Sequence, residues 1–196
     1  MNNINMTPER HPWEPFLPAH THLLMLGSFP PQRKRWSMEF YYPNLQNDMW
    51  RIFGHLFFGE RNHFLTTDRK AFDKGRIEAF LKEKGVALYD TSEEVIRLKD
   101  NASDNFLQVV REVDLRVLLQ RIPGCRTVAA TGGKAAETAA QILGCSVPAV
   151  GEYAEFSDAG ETMRLYRMPS TSRAYARPME WKAEYYRRMF TQIGIL

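Results

Sequence analysis

Short apolar runs alternate with longer segments of helical periodicity along this chain, and this alternation limits the folds that it can adopt. The apolar runs cover residues 22–29, 86–89, 127–130 and 165–168. Every connection between them is long enough for a crossover, which parallel strands require. We therefore predict an α/β fold with a parallel sheet and helices on both of its faces.

The spacing of apolar residues also predicts the helices. They are expected at residues 44–58, 68–84, 103–120, 134–143 and 178–192. Pro178 suits the first turn of the last helix, and Gly85 suits the end of the second.

The remaining segments have no helical or strand periodicity of their own. Residues 1–20 contain four prolines and are predicted to form an irregular arm. Residues 149–156 are either a short strand of another kind or a loop. Because the sequence has no repeat and no linker, a single domain over residues 1–196 is expected.

Composition and charge exclude few function classes. The formal net charge is +3 and the isoelectric point is about 8.9, which permits a polyanionic partner without requiring one. Cys125 and Cys145 have neither metal-binding nor disulfide-framework spacing, so a reducing compartment is expected. Residues 1–11 lack the apolar centre of a signal peptide, and no run is long enough to cross a membrane. A cytoplasmic location without membrane attachment is the expectation.

Histidine spacing argues against a metal site. No two histidines stand at the spacing of a helical or finger-type metal site, and solvated or structural roles are favoured for all five: His11, His20, His22, His55 and His63. No metal is expected.

Two apolar runs far apart in the sequence end abruptly in small and proline residues. Residues 23–31 end in Ser-Phe-Pro-Pro, and residues 165–172 end in Pro-Ser-Thr-Ser. The carboxyl ends of parallel strands lie at one edge of a sheet, where ligands bind in α/β folds. We therefore expect these two loops to form opposite sides of one cleft.

Two polar residues at the ends of predicted elements allow two interpretations each. Asp90 ends a short apolar strand, where a carboxylate either meets a ligand or caps the turn through Thr91 and Ser92. Asn47 lies near the beginning of an aromatic-rich helix, where capping is the default and a place in the site is the alternative.

Two further segments resemble binding motifs only weakly. Residues 131–134 (Thr-Gly-Gly-Lys) lack the spacing and the hydroxyl residue of a phosphate-binding P-loop, so a strand-to-helix turn is predicted. Residues 33–36 (Arg-Lys-Arg-Trp) and 40–42 (Phe-Tyr-Tyr) mix cations with flat rings. Such a mixture suits nucleic acid, although an exposed basic turn followed by core aromatics explains it equally well.

Four segments, in order, resemble motifs of the uracil-DNA glycosylase superfamily, with the closest similarity to its hypoxanthine-DNA glycosylase-like branch, relatives of the mismatch-specific uracil glycosylases. Residues 27–31 resemble the Gly-x-x-Pro first motif, and residues 41–52 resemble the Tyr-Tyr…Asn-x-Phe-Trp-x-Ile stretch. Residues 85–90 resemble the Gly-Ile-x-Leu-Trp-Asp strand. Residues 168–172 resemble the Leu-Pro-Ser-Thr-Ser second motif.

The resemblance implies a three-layer, doubly wound fold with a central sheet of four parallel strands. It also implies a monofunctional DNA glycosylase that flips a deaminated base, uracil or hypoxanthine, out of DNA and hydrolyses its N-glycosidic bond. The implied partner is DNA containing a damaged or mismatched base. The implied enzyme is a monomer that needs neither cofactor nor metal.

The resemblance also implies roles for individual residues. Many members of the superfamily orient the attacking water with a polar residue where this chain has Phe29, so Asn47 is the expected catalytic residue, as in the hypoxanthine-type branch. Phe29 and Tyr41 are expected to stack on the flipped base, and Asp90 to bind its edge. Expected contacts to DNA phosphates come from Ser170, Ser172, Arg173 and Lys134.

Two other functions stay open at this stage. The same cleft suits a non-catalytic protein that binds nucleic acid or a free nucleobase, and Phe29 at the usual polar position favours this alternative. An α/β protein for an unrelated small anion is the third possibility.

Overall fold

The structure is a computed structural model that describes residues 7–98 and 106–196. Its strands, in chain order, are β1 (Glu9–Arg10), β2 (Leu23–Gly27), β3 (Val86–Asp90), β4 (Ser92–Arg97), β5 (Leu107–Glu112), β6 (Thr127–Thr131), β7 (Tyr153–Asp158) and β8 (Glu161–Met168). Its helices are α1 (Met49–Phe58), α2 (Lys74–Lys84), α3 (Leu115–Gln120), α4 (Gly133–Leu143) and α5 (Met179–Gln192), with a short 3-10 turn at Arg33–Arg35. Within these two ranges, no helix is long and apolar enough to span a membrane.

The main sheet has five strands in the order β3-β2-β6-β8-β7. Strands β3, β2, β6 and β8 are parallel, which confirms the predicted arrangement. Strand β7 forms an antiparallel hairpin with β8 at one edge, so the sheet is mixed and has one strand more than the four expected. The segment 149–156, for which strand and loop were both open, enters this strand at Tyr153.

Helices cover both faces of the main sheet. Strands β2, β3 and β6 are buried along their whole length, which requires cover on each side. Helix α1 packs against α5, α3 packs against α4, and α2 contacts β3. The layered α/β architecture expected from the sequence is therefore confirmed.

Helices α1, α2, α4 and α5 occupy predicted segments, but α1 and α2 begin later than expected. Helix α2 begins at Lys74 because the Asp73 carboxylate accepts a hydrogen bond from the backbone N–H of Arg76, at 3.0 Å, and caps it. Helix α5 begins at Met179, directly after Pro178, in agreement with the prediction.

The prediction of one helix over residues 103–120 is wrong. Residues 107–112 form strand β5, and only α3 is helical. The expected start, residues 103–104, lies outside the described residues. Val109 and Val110 are β-branched and favour a strand, whereas Asp114 caps the later helix by accepting a hydrogen bond from Val117 N at 3.0 Å.

A second, antiparallel sheet, in the order β1-β4-β5, was not predicted. Strand β1 pairs with β4 through Glu9 and Arg10. Farther along, Phe16 exchanges two backbone hydrogen bonds with Leu88 on β3. The arm over residues 1–20, expected to be irregular, is therefore fixed to both sheets in its described part.

The register of the parallel strands determines which residues meet at the carboxyl edge. Gly27 pairs with Asp90, and Thr131 pairs with Met168. The loops that follow β2 and β8 therefore begin side by side, and β4 leaves the same edge two residues after Asp90.

Candidate active site

A pocket opens at the carboxyl edge of the parallel strands. Both loops that were expected to form a cleft line it, together with residues of the N-terminal arm and of the second sheet. The lining residues are Trp13, Gly27, Ser28, Phe29, Pro30, Pro31, Tyr42, Pro43, Asn44, Asn47, Asp90, Arg97, Leu107, Thr131, Ser170, Thr171 and Ser172.

Asp90 borders the pocket and is paired with a histidine. The Nε2 atom of His11 lies 2.9 Å from Asp90 Oδ2, and the two side chains are 3% and 8% exposed. The other oxygen, Oδ1, lies beside the backbone of Gly27. The contact with His11 thus fixes Oδ2, while the carboxylate of Asp90 remains part of the pocket wall.

The ring of His11 is fixed by the residues around it. Its Nδ1 atom lies 2.8 Å from the carbonyl oxygen of Trp13 and 3.2 Å from the Trp13 nitrogen. The rings of Tyr89 and Phe29 lie 4.8 and 5.5 Å from it, centroid to centroid. Both ring nitrogens therefore have polar partners inside an aromatic enclosure.

Phe29 presents an aromatic ring to the pocket, and Arg97 covers it. The guanidinium carbon of Arg97 lies 5.5 Å from the ring centroid. Arg97 also donates to the Pro30 carbonyl oxygen at 2.6 Å and to both carboxylate oxygens of Glu9 at 3.0 Å. This cation is therefore held in place over the ring by the loop after β2 and by β1.

The structure brings Tyr42, rather than Tyr41, to the pocket. Tyr41 is 2% exposed, and its hydroxyl donates to the Glu14 carbonyl oxygen at 2.8 Å. Burial, and secondarily the charge of Asp90, raises the pKa of Tyr41 far above its usual value, so this phenol stays neutral. Tyr42 lines the pocket, with its hydroxyl 3.0 Å from Thr131 Oγ1.

Asn47 lies in the pocket wall just before α1. Its Oδ1 atom accepts a hydrogen bond at 2.9 Å from the backbone N–H of Met49, the first residue of α1, although the N-cap position itself is occupied by Asp48. An amide oxygen has two lone pairs, and the amide nitrogen has two donors. The side chain therefore satisfies one N–H of the first helical turn from the position before the cap, and it also lies in the pocket.

Hydrogen bonds from Lys182 and Asp48 hold the loop of residues 170–172 in place. The Nζ atom of Lys182, which is almost fully buried, donates to the Ser172 carbonyl oxygen at 3.1 Å and to Asp48 Oδ2 at 2.7 Å. The backbone N–H of Asp48 donates to the Thr171 carbonyl oxygen at 2.9 Å. Ser170 and Ser172 line the pocket on this fixed loop.

Lys134 and Arg173 do not line the pocket. The Nζ atom of Lys134 donates to the Leu107 carbonyl oxygen, which holds the lysine against β5. Arg173 is exposed and lines a neighbouring cleft together with Arg51, Arg61 and Arg177. These cations are therefore beside the pocket rather than in its wall.

Trp13 and Arg97, which line the pocket, and His11, which contacts Asp90 from outside the lining, were missed in the sequence. All three reach the site through the pairing of β1 with β4, and neither strand has a strong local signal. For the part of the chain that the structure describes, no group of three or more His, Cys, Asp or Glu side chains is placed to hold a metal ion. The pocket instead offers flat rings, one carboxylate and two side-chain amides.

No protein-family model matches the sequence, and no curated protein sequence matches it. Among solved structures, the chain is similar to a solution structure of "a putative Uracil DNA glycosylase from Methanosarcina acetivorans". The fold of this chain is similar to the fold of that putative uracil DNA glycosylase. The two chains are 22% identical, with a TM-score of 0.66, over 96% of this chain and 99% of the other. The likeness therefore extends over nearly the whole of both chains, and it is a likeness of fold.

Proposed function

We propose that this protein is a monofunctional DNA glycosylase that hydrolyses the N-glycosidic bond of a deaminated base, uracil or hypoxanthine. The observation that carries the proposal is the convergence of Phe29, Asn47 and Asp90 on one pocket of a glycosylase-like fold. A base within a duplex is unreachable, so the substrate base has to be flipped into this pocket.

Recognition of the base is assigned to the ring of Phe29 and the carboxylate of Asp90. Phe29 offers a flat surface, backed by the Arg97 cation, on which a base stacks. Asp90 accepts a hydrogen bond from a ring N–H of the base. Tyr42 takes the stacking position first expected for Tyr41, because only Tyr42 lines the pocket.

Hydrolysis is assigned to a water molecule positioned by Asn47. The water oxygen bonds to C1′ of the sugar as the bond from C1′ to the base nitrogen breaks, and the electron pair leaves with the base. One water proton passes to the base or to solvent, and the products are an abasic sugar and the free base. Positioning of a nucleophile and donors for a leaving anion suffice for this chemistry.

Contacts to the DNA backbone are assigned to the rim of the pocket. Ser170 and Ser172, with their loop N–H groups, bind phosphates beside the flipped base. Arg173 adds a phosphate contact in the neighbouring cleft, and Lys134 adds positive charge beside β5. Such contacts make binding weaken steeply as salt is raised.

Two observations favour a second candidate, a protein that binds nucleic acid or a free nucleobase without cutting it. Asn47 Oδ1 already accepts the Met49 N–H, and the residue that follows Ser28 is Phe29 rather than a polar side chain. A panel of single- and double-stranded oligonucleotides carrying uracil or hypoxanthine separates the candidates. Free base and abasic sites, formed in the presence of a metal chelator, support the glycosylase; salt-sensitive binding with no base release supports the binder.

A further inference from the structure

The proposed reaction requires an acceptor at Asp90 but does not by itself explain the histidine behind it. Burying two titratable side chains is costly unless each is hydrogen-bonded. His11 reaches Asp90 only because Glu9 and Arg10 pair with β4 and carry the arm into the site. The hydrogen bond between His11 and Asp90 joins two distant parts of the chain and buries both side chains, which indicates that His11 has a role in the pocket.

The contacts of His11 place the proton of the pair next to Asp90 Oδ2. Where Nδ1 donates to the Trp13 carbonyl oxygen, at 2.8 Å, Nε2 either carries a proton beside a carboxylate or accepts one from a neutral carboxyl group. Where Nδ1 instead accepts from the Trp13 N–H, at 3.2 Å, the proton is on Nε2. In every arrangement a proton lies between Nε2 and Oδ2, and Oδ1 carries none.

We propose that His11 is a specificity-determining positioning residue that keeps Asp90 Oδ1 a hydrogen-bond acceptor, so that the pocket selects bases with a ring N–H beside a carbonyl group. Uracil and hypoxanthine carry such an N–H. Cytosine and adenine carry a bare ring nitrogen at the corresponding place, and two acceptors facing each other in a buried site are both left unsatisfied. This inference rests on the proposed function for the identity of the ligand.

The other groups around the pair cannot replace His11. The hydroxyl of Tyr41 is used by the Glu14 carbonyl oxygen. Burial raises the pKa of Tyr89 to about 12, so this phenol also stays neutral. Arg97 is held by Glu9 and the Pro30 carbonyl oxygen. Without the imidazole, the hydrogen bond that fixes Oδ2 is lost, and Oδ1 is no longer held as the acceptor that faces the base.

The test measures the affinity of the full chain for four bases that are methylated at the nitrogen that carries the sugar in DNA, by calorimetric titration with 1-methyluracil, 1-methylcytosine, 9-methylhypoxanthine and 9-methyladenine. The methyl group removes the N1–H that free cytosine carries beside its C2 carbonyl group. We expect the uracil derivative to bind at least about tenfold tighter than the cytosine derivative, and the hypoxanthine derivative at least about tenfold tighter than the adenine derivative. His11→Phe keeps a ring but removes the donor, and it should bring both ratios close to one. His11→Gln keeps a donor near the Nε2 position and should retain both preferences. His63→Phe, at the ring that stacks on Phe58, is the matched control and should change neither ratio.

The outcomes separate this inference from the proposed function. A folded His11→Phe variant with wild-type ratios overturns the inference, as does a wild-type protein without preference. If His11→Phe does not fold, His11→Gln decides, since loss of its preference also overturns the inference. Base binding requires no bond cleavage, so a protein that selects bases through His11 but releases none from DNA contradicts only the proposed function.

Discussion

Gly27 lies so close to Asp90 that a β-carbon on Gly27 would be 2.3 Å from Asp90 Oδ1. Non-bonded heavy atoms do not approach so closely, and the pairing of Asp90 with His11 restricts its movement. We predict that Gly27→Ala displaces the carboxylate and lowers the single-turnover rate of base release by about a hundredfold, as expected for a misplaced recognition group.

Gly75→Ala is the matched control for this substitution. A β-carbon on Gly75, in the first turn of α2, would meet only Asp73 Oδ1, at an ordinary 3.6 Å. Its rate of base release should equal that of the wild type, with unchanged or slightly higher stability. A Gly27→Ala enzyme as fast as this control would show that the position of Asp90 does not matter to the reaction.

Asn47 is predicted to contribute separately to catalysis and to stability. Asn47→Ala removes the amide that positions water and should slow single-turnover base release by at least about a hundredfold. It also leaves the Met49 N–H without its acceptor, which should lower the free energy of unfolding by about 1 kcal/mol. Rapid-quench assays measure the first effect, and urea denaturation measures the second.

Asn47→Ser separates the contribution of Asn47 to catalysis from its contribution to stability. A serine hydroxyl accepts the same local N–H, so stability should stay near that of the wild type while base release stays slow. Undiminished release by Asn47→Ser would remove Asn47 from the catalytic role and leave it as an acceptor for the first helical turn.

The pair of Lys182 and Asp48 is predicted to stabilise the pocket loop. The two side chains are 1% and 20% exposed, and Lys182→Met leaves the Asp48 carboxylate without its partner. We expect a loss of roughly 3 kcal/mol in the free energy of unfolding by urea denaturation. The double variant Lys182→Met, Asp48→Leu replaces the pair by apolar groups and should recover most of this loss. A single variant as stable as the wild type would contradict the assigned anchoring.

Cys125 is predicted to make stability fall at alkaline pH. Burial raises the pKa of its thiol from 9.0 to about 11, because the thiolate is poorly solvated inside the protein. The unfolded chain therefore loses this proton first, and stability that is complete below pH 9 is lost as the pH rises to about 11. The loss should be on the order of 2 kcal/mol.

Urea denaturation of wild type and Cys125→Ala at pH 8 and pH 10.5, under reducing conditions, isolates this contribution. Both proteins contain other groups that titrate at alkaline pH, so only the difference between them belongs to the thiol. Identical losses in the two proteins would show that the thiol ionises equally in the folded and unfolded chains.

The parallel strands could be predicted because their signal is local. A strand covered on both faces is a continuous apolar run, and the turn residues that follow it mark its end. The run at residues 86–89 was therefore found within one residue of β3. Phe29 and Asp90 were predicted because they follow or end such strands, and Asn47 because it precedes an aromatic-rich helix; all three line the pocket.

The second sheet could not be predicted because its signal is not local. Residues 92–97 (Ser-Glu-Glu-Val-Ile-Arg) are mostly polar and form a strand only beside β1 and β5. His11 and Arg97 depend on that pairing and were missed with it. Tyr41 and Tyr42 are adjacent, and the turn at Tyr42, with a φ of 51°, decides which of the two lines the pocket.

The pocket joins an early segment of the chain to a late one. Trp13 comes from the arm, while the loop of residues 170–172 follows β8, the last of the parallel strands in the sequence. During translation these parts leave the ribosome far apart in time, and contacts between distant segments form slowly. A nascent chain therefore has no complete pocket until the loop after β8 has been synthesised.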